Sequence, residues 1–269
     1  MKPAKKYILL SNDDGIDSPG LWTAAEALSD LGYVTVAAPR DHMSSTGRGF
    51  AKDSDGRIAK KKLIVKGQEW DVYAIGGSPS QSVTHGLLEV VPQRPDLVVA
   101  GINYGENFAT DNTFSGTVGA AIEAASLGIP ALAISQQIVY EDYDSYHKDV
   151  DFSAAAYFTR FFAQKLLEKE MPEDVDVLNV VVPDGATPQT PWKVTRLARM
   201  RYFRPYVVRE GKPEDTGYIT FNILKDEEIP PDNDIYTVRV EKMVAVTPLS
   251  LDMTSRVAPS FLDALLRAK

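Results

Sequence analysis

At 269 residues, 44% of them apolar and 25% charged, the chain can bury a core without staples, and its length suits one large domain or a domain plus an extension. A net charge of −8 excludes the basic stripe that binding to a nucleic-acid backbone needs, so no nucleic-acid duplex is expected as a partner. The absence of cysteine excludes disulfides, thiolate nucleophiles and cysteine-ligated zinc, and suits a reducing compartment.

The first residues, "MKPAKKYILLSNDDG", are basic, but the apolar run is too short for a secretory signal. No stretch approaches the ~20 apolar residues of a membrane-spanning helix. A cytoplasmic protein without membrane contact is expected. "YILLS" reads as a short buried strand. "SPGLWTAAEALSDLG" reads as a helix capped by Ser18, opened by Pro19 and ended by Gly32, with Leu21, Ala24, Ala25, Leu28 and Leu31 near one face. "YVTVAAP" is a second strand, stopped by Pro39, and the strand–helix–strand order implies parallel pairing with a right-handed crossover. A polar loop, "RDHMSSTGRGFAKDSDG", precedes two strands, "RIAKKKLIVKG" and "EWDVYAIGG", read as a hairpin at the sheet margin. "SPSQSVTHGLLEVV" is a helix capped by Ser78, "PDLVVAG" a buried strand, and "INYGENFATDNTFS" a loop. Then come a small-residue helix, "GTVGAAIEAASLG", a strand, "IPALAIS", an amphipathic helix, "DFSAAAYFTRFFAQKLLEK", and a strand, "VDVLNVVVP".

After Pro183 the texture changes. "TPWKVTRLARMRYFRPYVVREG", "TGYITFNIL" and "DIYTVRVEKMVAVTPLS" alternate like β-hairpins, and "SRVAPSFLDALLRAK" closes the chain as a helix. The expected architecture is α/β: a mostly parallel sheet flanked by helices over residues 1–185, and a β-rich arm with a terminal helix over 186–269.

Ligands of open parallel sheets bind outside the carboxyl ends of the strands. Three polar loops fall there. Asn12, Asp13, Asp14 and Gly15 follow the first strand. Ser44, Ser45, Thr46 and Gly47 follow the second. Asn103, Gly105 and Asn107, then Ser115, Gly116 and Thr117, follow "PDLVVAG". Adjacent carboxylates repel and resist desolvation, so Asp13 and Asp14 call for a cation. Carboxylates, amide oxygens and hydroxyls are hard ligands suited to Mg²⁺, Mn²⁺ or Ca²⁺, with Asn103 and a serine completing a sparse shell. The helix opening at "SGTVGAA" offers free N–H groups and a positive dipole end for an anion. Cation and helix start together describe a phosphate-ester hydrolase. Each motif alone has a bland reading as a turn, cap or flexible loop; the ordered set carries the inference.

"ILLSNDDG", "SSTG" after "VAAP", "PDLVVAGINYGEN", "SGTVGAAIEA" and "TPLSLDMT", in this order over most of the chain, resemble the SurE (survival protein E) family of metal-dependent nucleotidases. The resemblance implies a Rossmann-like domain and a C-terminal arm used in forming a homodimer or homotetramer. It implies hydrolysis of nucleoside 5′- and 3′-monophosphates, and of short polyphosphate, with one divalent cation per subunit, Mg²⁺ or Mn²⁺. By motif position the metal ligands would be Asp13, Asp14, Ser44 and Asn103, with Asp13 and Asp14 catalytic. Asn12, Asn107, Ser115, Gly116 and Thr117 would bind the phosphate. The chain departs from the family pattern at Met43, where a basic residue is usual, and at "GSPSQSV", where "GTPADCV" is common.

Of the three histidines, only His42 lies near a predicted site loop; His85 and His147 read as structural or exposed. No serine–histidine–acid spacing or GxSxG elbow is present. Two other readings compete: a haloacid-dehalogenase-like phosphatase, whose acids stand two apart rather than adjacent, and a noncatalytic nucleotide sensor. A dinucleotide-dependent dehydrogenase is disfavoured because "SNDDG" replaces G-x-G-x-x-G.

Overall fold

The computed structural model describes residues 5–138 and 150–268; the stretch containing His147 lies outside them. Its centre is β1 (Lys6–Ser11), buried from Ile8 onward, in a nine-stranded sheet. On one side of β1 lie β2 (Gly32–Pro39), then β4 (Gln68–Ile75), then the edge strand β3 (Ile58–Val65). On the other lie β5 (Leu97–Tyr104), β6 (Ala131–Gln136), β7 (Val177–Val182), β11 (Val244–Leu249) and β8 (Trp192–Val194). Within this sheet, among the described residues, only β3 against β4 and β11 against β7 pair antiparallel. The chain therefore has the expected mostly parallel α/β architecture.

The valine- and alanine-rich central strands are apolar on both faces because helices cover both. α1 (Pro19–Leu28) and α4 (Ser153–Glu168) pack on one face through Leu21, Leu28, Phe158 and Phe162; α2 (Pro79–His85) and α3 (Gly116–Ser126) pack on the other through Val83, Val118 and Ala121. Because β2 and β5 flank β1 on opposite sides, the direction of sheet growth reverses there. The crevice for a ligand opens at the carboxyl ends of β1 and β5.

Several local expectations change. Ser18 stands at the N-cap of α1, but its side chain makes no capping bond, and Gly32 belongs to β2 rather than to the helix end. Ser78 caps α2 as expected, in a capping box with Gln81, and a single π-helical turn (Gly86–Val90) follows. β5 runs on through Ile102, Asn103 and Tyr104, which "PDLVVAG" alone did not include. Its pairing with β6 shifts between Ala100 and Asn103. Gly101, at φ +129°, sits at that shift, where a Cβ would lie 2.2 Å from the Ile134 carbonyl oxygen.

"DIYTVRV" forms α5 (Asp234–Arg239), not a hairpin strand. The Asn233 side chain accepts from the Tyr236 N–H at 2.9 Å, and Ile235 and Val238, three apart, are both buried. Capping and helical spacing outweigh the β-branched composition. β9 (Phe203–Arg209) and β10 (Gly217–Ile223) pair antiparallel as a separate two-stranded ribbon, while β8 and β11 join the main sheet. The terminal helix α6 (Pro259–Arg267) forms as expected, with Phe261, Leu265 and Leu266 exposed. Among the described residues no helix is long and apolar enough to cross a membrane.

Candidate active site

The turn after β1 is built by Asn12. Its amide nitrogen donates to the Gly15 carbonyl at 3.0 Å, and its amide oxygen accepts from the Gly15 N–H at 3.2 Å. Asn12 is fully buried and does not line the cavity described below. Its amide holds the turn that presents the two acids. The following loop is tied down by the Met43 N–H on the Asp13 carbonyl at 2.8 Å and the Gly47 N–H on the Phe114 carbonyl at 2.9 Å. Arg48 secures it further, donating to the Glu123 carboxylate on α3 at 2.7 Å.

Asp13, Ser44, Asn103, Asn107 and Ser115, from all three sequence loops, line one cavity of about 400 Å³. Gly116 lets α3 start against Asp13: a Cβ there would stand 2.7 Å from the Asp13 Cβ. Ser115 spends its hydroxyl on capping α3, accepting from the Val118 N–H at 3.1 Å. Thr117 contributes its side chain as well as its backbone. Its hydroxyl donates to Asp13 Oδ1 and also lies 3.1 Å from Asn103 Oδ1. The Asn103 amide nitrogen is committed to the Tyr104 and Gly105 carbonyls, at 3.0 and 2.7 Å, so its oxygen is the atom that faces Thr117.

Asp14 is buried beside Asp13 but is not among the cavity-lining residues. Its Oδ2 accepts from the Tyr104 N–H at 3.3 Å, and its Oδ1 stands 4.0 Å from His42 Nε2. His42 also contacts the Ser44 hydroxyl. Burial pushes the Asp13 carboxyl up to about 6, opposed by the Thr117 hydroxyl and by backbone N–H groups at Thr117 and Gly116. Burial and the Asp13 charge push Asp14 up as well. Burial lowers the His42 imidazole.

This donor set fits a hard divalent cation. Among the described residues no group of three or more His, Asp or Glu side chains is placed to hold a metal. The candidate shell is instead two carboxylates completed by neutral oxygens. One hydroxyl proton cannot serve both Asp13 Oδ1 and Asn103 Oδ1 at once. The two oxygens face each other across that shared hydroxyl, an arrangement a cation between them would complete. Thr117→Val is expected to keep the fold, lower activity about 10–100-fold and raise the Asp13 pKa further. The pH profile of Mg²⁺ affinity, its acidic limb displaced upward, checks this.

The cavity has walls that the motifs did not reveal. Glu106 and Asp111, from the loop after β5, line it with Arg201 and residues of the β9–β10 ribbon. Glu106 is buried, accepts from the Tyr202 hydroxyl at 2.7 Å, and has its pKa raised by that burial. Arg239 donates to the same hydroxyl at 2.5 Å and pairs with Asp226 at 2.7 Å. Asp111 Oδ2 accepts from the Tyr202 and Phe203 N–H groups, each at 2.8 Å. An acid inside "GINYGEN" and another in "FATDNTFS" were the only signals of this in the sequence; their partners lie about ninety positions away.

The Survival protein SurE family model matches residues 8–204. The chain is similar to the 5'-nucleotidase SurE of Methanosarcina acetivorans, 39% identical and covering 96% of this chain and 97% of that relative. It is similar also to the 5'-nucleotidase SurE of Thermococcus kodakarensis, 41% identical over 93% and 94% of the two chains. Its fold is similar to the crystal structure of the SurE protein from Aquifex aeolicus, with a TM-score of 0.75 and 29% identity, over 97% of this chain and 99% of that one.

Proposed function

Because the chain belongs to the Survival protein SurE family and is, with its relatives, a 5′-nucleotidase, we propose that it is a cation-dependent phosphomonoesterase. Its substrates are nucleoside 5′- and 3′-monophosphates, with short polyphosphate as a further one. The observation that carries this reading is the meeting of Asp13, Asn103 and Thr117 at the start of α3, beside a cavity reached by Ser44.

Asp13, Asp14, Ser44 and Asn103 hold one Mg²⁺ or Mn²⁺ per subunit. Such an ion supplies charge stabilisation to the phosphoryl oxygens and a more acidic bound water. Asp13 and Asp14 fix the charge of the site. Thr117 orients Asp13 and Asn103. Ser115, Gly116 and Asn107 receive the phosphoryl oxygens at the positive end of α3. Asn12 keeps the acid pair in register. Phosphoryl transfer depends chiefly on positioning and charge stabilisation, and this set provides both.

The ribbon β9–β10 and helix α6 form the self-association surface of the 186–269 arm, building a homodimer or homotetramer. The support is their exposed apolar residues, including Tyr206, Tyr218, Phe261 and Leu266. The enzyme works in the cytoplasm, consistent with a cysteine-free chain.

Phosphate release from the nucleoside monophosphates, with EDTA and with each divalent metal added back, tests the reading. Release is expected only with metal; equal release in EDTA would remove the cation from the reaction.

A further inference from the structure

Two polar side chains in the buried strands are left unexplained by the motifs. Asn179 interrupts β7, "VLNVVV", and Ser135 stands in β6, "ALAISQ". Both are fully buried. Asn179 lies opposite Ala133 in the parallel register, and Ser135 is two residues beyond Ala133. Alternate residues share a face, so both side chains leave the sheet on the same side. Burying an amide or a hydroxyl there is unfavourable unless it gains a hydrogen bond.

Both bonds go to one residue. Asn179 Nδ2 donates to the Asn107 carbonyl at 3.0 Å, and Ser135 Oγ accepts from the Asn107 N–H at 3.3 Å. Asn179 Oδ1 is buried with no hydrogen-bond partner among the described residues, so the bond to Asn107 is what the buried amide achieves. The Asn107 backbone is thus held at its N–H and its carbonyl from two neighbouring strands. The turn it closes begins at Asn103, which pairs with Ser135 across β5 and β6. Within that turn the Tyr104 and Gly105 carbonyls accept from Asn103 Nδ2, which leaves Asn103 Oδ1 facing the Thr117 hydroxyl. The direction of that oxygen therefore depends on where the carbonyls of the turn point.

We propose that Asn179 and Ser135 are positioning residues of the cation site: by fixing the Asn107 backbone they hold the 103–107 turn in the shape that keeps Asn103 Oδ1 beside Asp13. Neither lines the cavity, so neither touches the substrate. Their effect passes through Asn103. This rests on the cation-dependent nucleotidase reading and extends it from the strand ends into β6 and β7.

The test is calorimetric titration of the full chain with Mg²⁺, paired with phosphate release from AMP at limiting and at saturating Mg²⁺. The variants are Asn179→Leu, which keeps the branching of the side chain but has no donor, and Ser135→Ala, which removes one oxygen. Asn179→Leu is expected to weaken Mg²⁺ binding about tenfold and Ser135→Ala about threefold. Saturating Mg²⁺ is expected to return kcat to within about twofold of wild type, which it would not do for a variant that had merely lost folded protein. In an Asn103→Ala background, Asn179→Leu is expected to cost less than about twofold further in Mg²⁺ affinity, because the residue it acts through is gone. Ser135→Ala and its own cycle with Asn103→Ala decide the matter if Asn179→Leu does not fold. Unchanged Mg²⁺ affinity in the folded variants, a loss of kcat that saturating Mg²⁺ does not restore, or penalties that add in full to that of Asn103→Ala would overturn the positioning role and leave the nucleotidase reading intact. Equal phosphate release by wild type in EDTA would overturn both.

Discussion

Asp13→Asn is expected to reduce metal-dependent nucleotide hydrolysis by ~10³-fold or more and, in the same protein, to raise the thermal midpoint without metal. Loss of a carboxylate from a sparse cation shell removes several kcal/mol of charge stabilisation, at about 1.4 kcal/mol per tenfold. The stability gain follows from linkage. Burial holds the Asp13 carboxyl at about 6, above its ordinary 3.8, so the folded chain binds this proton more tightly than the unfolded one. The stabilising contribution is complete below pH 3.8 and is lost as pH rises through about 6. At pH 7.5 the metal-free wild type therefore carries a buried Asp13 charge that the variant lacks, and the variant melts higher. As the pH falls to 5, the gap closes. Mg²⁺ is expected to raise the midpoint of wild type at pH 7.5 and to leave the variant nearly unmoved. Calorimetry at the two pH values, with and without metal, reads all of this; a variant that melts lower at pH 7.5 without metal would contradict the account.

Asp234→Ala is expected to destabilise the protein by about 2–5 kcal/mol, with the midpoint falling roughly 2–4 °C per kcal/mol. Asp234 is fully buried. One oxygen accepts from the Ala109 N–H at 2.6 Å and the other from the Ala198 N–H at 2.9 Å. It thereby clamps the loop carrying Asn107 and Asp111 to the segment leading into the ribbon. Alanine leaves both N–H groups buried and unpaired. Asparagine keeps one acceptor and turns a donor toward the other N–H, so it should fall between wild type and alanine. Denaturant unfolding of the three proteins checks the order; an alanine variant within about 0.5 kcal/mol of wild type would show that the clamp is not needed. Because the clamp also shapes the cavity, the nucleotide KM is expected to rise in the alanine variant.

The residues legible in the sequence are those whose setting is local. Asp13, Asn103 and Ser115 follow buried apolar strands or precede a helix and line one cavity, because a parallel sheet delivers strand ends to one edge whatever else the chain does. The helix of Asp234–Arg239 was not legible, because its β-branched residues favour a strand until the Asn233 cap and the burial of Ile235 and Val238 are known. Nor was the turn that the Asn12 amide closes with Gly15.

The sequence alone determined the α/β alternation, the family and the three loops that meet at one cavity, because hydrophobic periodicity and strand-end chemistry are written over short spans. The tertiary structure alone decided which hydroxyl Asp13 and Asn103 share, and what roofs the cavity. Those contacts join residues from 14 to over 100 positions apart, and their pairing depends on how sheet, ribbon and loops pack, which no local pattern encodes.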